Sequence, residues 1–162
     1  MQGDLAFVEI LAQMGAVVEQ DEQSTTLIAG SGLQGVDVDM HHISDTVMTL
    51  AAIAPLAQGP TTIRNIANIR IKECDRLQAL VENLRQLGQR VDHGEDWLQI
   101  HPASIRPATI ACHRDHRIAM SFAILGCYDL LGNGKSWLQI KDPACCGKTF
   151  PHFFEVLESL RT

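Results

Sequence analysis

No lysine or arginine occurs among residues 1–63, a stretch that carries eight acidic side chains and a net charge of −8. All thirteen basic residues lie in 64–162 beside eleven acids, a net of +2, so any anion site is expected in the second stretch. With a formal charge of −6 over 162 residues, the chain lacks the basic excess for a broad grip on nucleic acid or anionic lipid, and neither partner is expected. It also lacks any apolar run approaching the roughly 18 to 20 residues of a membrane span, so no membrane partner is expected. The opening Met1-Gln2-Gly3-Asp4 has no basic n-region or apolar h-region, and a cytoplasmic location follows as an expectation. Cys74, Cys112, Cys127, Cys145 and Cys146 are odd in number and contain no C-x-x-C spacing, which suits neither a disulfide framework nor a zinc site. Reduced thiols are expected.

What the chain does contain is a repeat of α/β elements. Leu5, Val8, Leu11 and Met14 give a helical stripe over 5–14, with Asp4 as a candidate cap and Gly15 as the stop; a hairpin through Val17-Val18 and Thr26-Leu27-Ile28 follows. The same order returns with Leu77, Leu80, Val81, Leu84 and Leu87, the stop Gly88, and a hairpin through Val91 and Trp97 to Ile100. The two glycines are 73 residues apart, about the length of one βαβαββ unit. Between the repeats the pattern predicts a strand over 36–40, a helix from Asp45 to about Ala57 that Pro55 should bend or shorten, and a strand over 61–66. A third run predicts a strand over 108–112, a helix from about Asp115 to Gly126, and a strand over 136–140. A last helix would be capped by Thr149, with Pro151 in its first turn and Phe153, Phe154, Leu157 and Leu160 facing inward. The expected organisation is the end of a first unit in 1–34, a complete second unit in 35–101, and a third unit lacking its closing strands in 102–162, all in one lobe.

Charged residues collect where these helices are expected to begin: Asp45, then Lys72-Glu73-Cys74-Asp75-Arg76, then Arg114-Asp115-His116-Arg117, then Gly147-Lys148-Thr149. Helix N-termini present unpaired N–H groups and about half a positive charge, so several of them with Lys and Arg attached suit phosphate or carboxylate ligands. Taken singly, Asp45 also reads as a plain N-cap, and Lys72, Glu73, Asp75 and Arg76 as a solvated helix start. His113 and His116 lack the companions of a metal pair or a kinase-like H-R-D, and the His41-His42 pair reads as a strand end without chemistry. Gly147-Lys148-Thr149 and Gly134-Lys135-Ser136 fail as P-loops because Asp142 and Asp129 stand where the first glycine belongs. The recurrence of one charged start on successive units favours a common anion site over independent surface placements.

Over essentially its whole length the sequence resembles the 5-enolpyruvylshikimate-3-phosphate synthase family. The resemblance rests on Gly3-Asp4 through Met14-Gly15, Asp37 to Met40 with Ser44-Asp45 and Met48-Thr49, and Arg64-Asn65-Ile66 with Asn68 to Arg76. It continues in Asp115 to Met120 and Gly147-Lys148-Thr149-Phe150-Pro151. K-E-x-D-R and G-K-T-F-P in this order are specific, since the sister transferase acting on UDP-N-acetylglucosamine lacks both. The resemblance implies repeated βαβαββ units of the inside-out α/β barrel fold, here an incomplete C-terminal lobe. It implies transfer of the enolpyruvyl group of phosphoenolpyruvate to the 5-hydroxyl of shikimate 3-phosphate, in aromatic amino acid synthesis, without metal or organic cofactor. By the same resemblance Asp45 would take the hydroxyl proton and Glu73 deliver one to the methylene carbon, with Lys148 a candidate to share proton transfer. Arg76 and Arg117 would clamp the carboxylate of phosphoenolpyruvate, Lys72 and Lys148 would lie near its phosphate, and Asn68 and Lys72 would touch shikimate 3-phosphate.

Two departures matter. Ser44 replaces the proline usual before the aspartate, and the family's chains are more than twice as long, folding into two lobes with catalysis between them. The expected partner is therefore a complementary N-terminal segment, without which half a site should be nearly inert. The competing expectation is a non-catalytic remnant or oligomerising module that associates through open sheet edges and at most binds phosphoenolpyruvate weakly.

Overall fold

The computed structural model of the chain describes residues 3–160. Helix α1 (Gly3–Gln13) is followed by Gly15 at φ +101°, a left-handed turn that admits glycine at no steric cost and sends the chain into the hairpin of β1 (Val17–Gln20) and β2 (Thr25–Ile28). Val17 lies opposite Ile28 and Gln20 opposite Thr25, and the Asp21 carboxylate accepts the backbone N–H groups of Gln23 and Ser24, both at 2.7 Å, to close the turn. Asp4, the candidate cap, is not at a cap position, because α1 already begins at Gly3 and includes it.

The centre of the molecule is a four-stranded sheet of β3 (Asp37–Asp39), β4 (Thr61–Arg64), β5 (Arg90–His93) and β6 (Leu98–His101), in the spatial order β3-β4-β6-β5. Strands β3 and β4 are parallel and so need a crossover, which helix α2 (Val47–Ile53) supplies. Helix α3 (Arg76–Gln86) connects β4 to the antiparallel pair β5–β6, completing a βαβαββ order. A second parallel pair, β7 (Ala108–Ile110) and β8 (Leu138–Ile140), is joined through α4 (His116–Leu125); a 3₁₀ segment over Pro143–Lys148 and helix α5 (Phe153–Ser159) end the described chain. No described helix is long and apolar enough to cross a membrane.

Helix α2 has Val47, Met48, Leu50, Ala51 and Ala52 buried and packs against both α3 and α4. A helix apolar on all sides belongs inside. On α3 the predicted stripe is the buried one: Leu77, Leu80, Val81 and Leu84, with Leu87 just past the end, are fully inaccessible, and each such side chain contributes about 1.5–3 kcal/mol on burial. Gly88 follows at φ +91°, repeating the stop used at Gly15.

Four local expectations need correction. Asp45 does not open α2: it lies in a 3₁₀ segment over His41–Thr46, and Thr46 occupies the cap position without a side-chain hydrogen bond. The predicted helix over 45–57 stops at Ile53 because Pro55 converts Ala54–Leu56 into a 3₁₀ turn. Thr149 ends the 3₁₀ segment over Pro143–Lys148, while α5 starts four residues later behind His152, leaving Pro151 outside it. Phe153, Phe154 and Leu157 are half-buried, but Leu160 is 70% exposed, since α5 ends at Ser159 before that position can turn inward.

Candidate functional site

The N-terminal ends of α3 and α4 meet beside the 3₁₀ segment that carries Asp45. Asp115, fully buried, is the N-cap of α4: its Oδ1 accepts the N–H groups of Arg117 (2.9 Å) and Ile118 (3.4 Å). The chain reaches that position through His113 and Arg114, both left-handed (φ +52° and +59°), a strained pair at about 1–3 kcal/mol each that aims the Asp115 carboxylate into the molecule. There it receives the Arg76 guanidinium, Nε to Oδ2 at 2.7 Å and Nη2 to Oδ1 at 3.4 Å. Arg76 is the first residue of α3 and only 3% exposed, so this two-pronged contact joins two helix ends within the interior.

Asp45 bridges the two arginines. Its Oδ1 accepts Arg76 Nη1 at 3.2 Å and its Oδ2 accepts Arg117 Nη2 at 3.0 Å; Arg117 Nη1 also donates to the Asp45 carbonyl at 3.1 Å. Since Asp45 does not cap α2, its carboxylate is available for this role, and it remains half-exposed. Next to it, Asn68 donates to the Ser44 hydroxyl at 3.1 Å, so the serine that replaces the usual proline acquires a partner; the buried Oδ1 of Asn68 has none among the described residues. Arg70 fixes the loop after Asn68 by donating to Asp75, the N-cap of α3, and to the carbonyls of Gly94 and Glu95.

Glu73 forms the other half of the cluster. Its Oε1 accepts from Lys148 Nζ, and its Oε2 lies 2.9 Å from His116 Nδ1. Its backbone is open to solvent while the side chain is 21% exposed. Partial burial pushes its carboxyl up, but the hydrogen bonds and charges of Lys148 and His116 outweigh that and hold it down at about 2. The unliganded site therefore carries Glu73 as a carboxylate at neutral pH. The Cys74 thiol, pushed up to about 12 by burial first and then by the Asp115 charge, stays protonated and points at Asp115 over 3.7 Å.

Asp45, Asn68, Glu73, Arg76, Arg117 and Lys148 are thus linked, directly or through one neighbour, around the ends of α3 and α4. Lys72 is not: its exposed side chain has no hydrogen bond or ion pair among the described residues. Asp115 and His116, which the sequence places only in a charged helix start, are the supports that hold Arg76 and Glu73. An aspartate directly before an apolar stripe was the available signal for the first of these. Beside the cluster, Asp45, Thr49, His116, Arg117 and Phe150 help line a hollow of about 330 Å³ between α2, α4 and the segment leading into α5.

Glu73, Asp115 and His116 could present three ligand atoms within 4.8 Å of one another. Arg76 and Lys148 already engage the two carboxylates, so a divalent cation would have to displace two cations and sit beside Arg117. Every carboxylate of the cluster is already paired with a cation, so a metal ion finds no uncompensated negative charge, whereas two guanidinium groups and an ammonium suit a ligand that replaces their present partners with its own carboxylate and phosphate.

Residues 1–157 match the family model described as EPSP synthase (3-phosphoshikimate 1-carboxyvinyltransferase). The 3-phosphoshikimate 1-carboxyvinyltransferase of Opitutus terrae is 50% identical over 162 residues, covering 99% of this chain and 35% of that protein. The chloroplastic 3-phosphoshikimate 1-carboxyvinyltransferase of Brassica napus is 43% identical over 99% of this chain and 31% of its own length. Among solved structures, EPSP synthase from Acinetobacter baumannii superposes with a TM-score of 0.78 at 28% identity, over 98% of this chain and 38% of that one. The enolpyruvyl transferase NikO from Streptomyces tendae shares the fold, with a TM-score of 0.69 at 19% identity over 96% of this chain and 35% of that one. The chain spans about a third of the length of the curated relatives it matches. With its βαβαββ order and a family match running from residue 1 to residue 157, the chain belongs to the EPSP synthase (3-phosphoshikimate 1-carboxyvinyltransferase) family.

Proposed function

We propose that this chain is the C-terminal portion of an enzyme that transfers the enolpyruvyl group of phosphoenolpyruvate to the 5-hydroxyl of shikimate 3-phosphate, releasing phosphate, and that it is inert until the missing N-terminal portion is supplied. The observation that carries this reading is the convergence of Arg76, Arg117 and Lys148 with two carboxylates at the ends of α3 and α4. The partition into units at 1–34, 35–101 and 102–162 belongs to the same proposal, supported by the sheet that runs only from β3 to β6. A cytoplasmic location belongs to it as well.

Asp45 occupies the place between Arg76 and Arg117 that a ligand carboxylate would take. Exchange of one carboxylate for another leaves the local charge unchanged, and the displaced Asp45 becomes free to accept the proton of the attacking hydroxyl. Arg76 keeps its orientation throughout, because its Nε stays on buried Asp115. Lys148, 65% exposed and able to swing, is the natural partner of the leaving phosphate, with exposed Lys72 beside it in the reading.

That movement has a consequence for Glu73. Once Lys148 turns to phosphate, Glu73 loses a strong downward influence while its desolvation persists, so its carboxyl rises and it can take up the proton it then delivers to the methylene carbon. Asn68, with an unpaired buried acceptor, suits a hydroxyl of shikimate 3-phosphate. Fixed cations and aligned carboxylates act only when both substrates are held together, and orientation of that kind is worth about 7–11 kcal/mol.

The test measures phosphate release from phosphoenolpyruvate and shikimate 3-phosphate by this chain alone, then with the separately expressed N-terminal part of the Opitutus terrae relative. Restored turnover that disappears in Glu73→Ala and Arg117→Ala and falls steeply, but measurably, in Lys148→Ala supports the reading; an assembled but silent complex overturns it. A second reading, an associating module without catalysis, is favoured by the β1–β2 hairpin, where Val17, Leu27 and Ile28 are about half exposed and no further strand pairs among the described residues.

A further inference from the structure

Three of the five cysteines come together behind the segment that carries Lys148. Cys112 follows β7, whereas Cys145 and Cys146 lie in the 3₁₀ segment over Pro143–Lys148, more than thirty residues later. They share one small apolar cluster with Ala119 of α4, packed by Met120, Ile140, Phe153 and Phe154. Cys112 and Cys146 are each 1% exposed, while Cys145 is half-buried and interacts with both of them. Cys146 faces the carbonyl of His116 at 4.0 Å, and the Cys145 backbone N–H is tied to Asp142. Lys141 N–H donates to the Ile110 carbonyl at 3.0 Å, clamping the segment against the end of β7.

We propose that Cys112 and Cys145 form a dithiol site for a trivalent organoarsenical, with half-buried Cys145 as the entry point and Cys112 as the second sulfur. Burial first, and then the neighbouring thiols, push Cys112 up to about 11 and Cys146 up to about 12, so the thiols are protonated at neutral pH and poor nucleophiles toward alkylating agents. Condensation with arsenic(III) uses protonated thiols directly. In the reaction of phenylarsine oxide with two thiols, both S–H bonds and the As=O unit are broken, two As–S bonds form and one water leaves. Arsenic remains trivalent, so no oxidant or reductant is required. Half-buried Phe153, Phe154 and Ile140 would give the phenyl group apolar neighbours.

Cys145 touches both thiols, and the pair with Cys112 is the one that joins two separate segments, whereas neighbouring positions on a 3₁₀ turn diverge by about a third of a revolution. The bridge would pin the segment that carries Lys148 to the end of β7. None of this depends on the chain taking part in enolpyruvyl transfer.

The test adds phenylarsine oxide to the full chain and reads the intact mass under native conditions. The expected result is a single adduct of one phenylarsenic less two hydrogens, reversed by 2,3-dimercaptopropanol. Its apparent affinity should fall about 100-fold in Cys145→Ser and in Cys112→Ser, the effective-concentration advantage of two linked sulfurs over one. Cys74→Ser and Cys127→Ser should leave it unchanged. An adduct that survives Cys112→Ser in a variant with wild-type melting but is lost in Cys146→Ser overturns the assignment, as does the absence of any dithiol adduct on the wild-type chain.

Discussion

Replacing Arg76 by alanine removes the only side-chain cation, among the described residues, on a carboxylate with no solvent access. Asp115 would keep the N–H groups of Arg117 and Ile118 and the Cys74 thiol at 3.7 Å, but lose both guanidinium contacts. Breaking a buried pair from one side typically costs 3–5 kcal/mol, and the surviving cap hydrogen bonds place this case at the lower end, about 3 kcal/mol. For a chain of this length that corresponds to a fall in Tm of about 6–12 °C. Asp115→Asn preserves the cap acceptor while leaving Arg76 only the half-exposed Asp45, an expected loss of about 2 kcal/mol. In Arg76→Ala/Asp115→Asn no charge is stranded, so the losses should fall short of additivity by about 2 kcal/mol. Urea unfolding of the four proteins, followed by far-ultraviolet circular dichroism, measures the cycle. Single variants within about 1 kcal/mol of wild type, or a strictly additive double variant, would refute the claim that this pair ties α3 to α4.

Glu73 gives a pH signature. Its folded-state value is depressed to about 2 from 4.5, so its contribution is fully present above 4.5 and lost as the pH falls toward 2. Because Lys148 is 65% exposed, solvent screening limits that contribution to about 1 kcal/mol. Glu73→Gln should therefore be less stable than wild type at pH 6 and equal to it near pH 2, and Lys148→Ala should raise the Glu73 value in a carbon-detected NMR titration; a stability difference independent of pH counts against the pairing. The exposed hairpin predicts concentration-dependent association by sedimentation velocity, reduced in Ile28→Lys, whose side chain leaves the exposed face of β2. A wild-type monomer with one sharp, concentration-independent melt would contradict it.

How much of this was legible in the sequence follows from the range of each interaction. The α3 stripe and its glycine stop are local: periodicity fixes which face is buried, and φ +91° at Gly88 fixes who can end the helix. The parallel β3–β4 pair was legible because a strand, a helix of about two turns and a second strand leave little but a crossover. Helix starts were less legible. Asp45 and Thr149 are both good caps by residue type, yet 3₁₀ turns over His41–Thr46 and Pro143–Lys148 moved the helical starts downstream of them.

That displacement is what makes the site. A carboxylate committed to capping α2 would point along its own axis; released from it, Asp45 reaches arginines 31 and 72 residues away. No periodicity records such pairings. Resemblance to a family singled out Arg76, Arg117, Glu73 and Lys148, but it was silent on their state in the absence of ligand: a Glu73 held near 2 by Lys148 and His116 is a base in waiting, not a proton donor. The proposed chemistry then requires ligand phosphate to draw Lys148 away before Glu73 can be protonated, so binding must precede acid catalysis. In a reassembled enzyme, Lys148→Ala should leave Glu73 with a higher resting value and shift the acid limb of kcat/KM, which reports free enzyme, more than that of kcat, which reports the liganded state. Equal shifts in both profiles would mean that Lys148 stays on Glu73 throughout turnover.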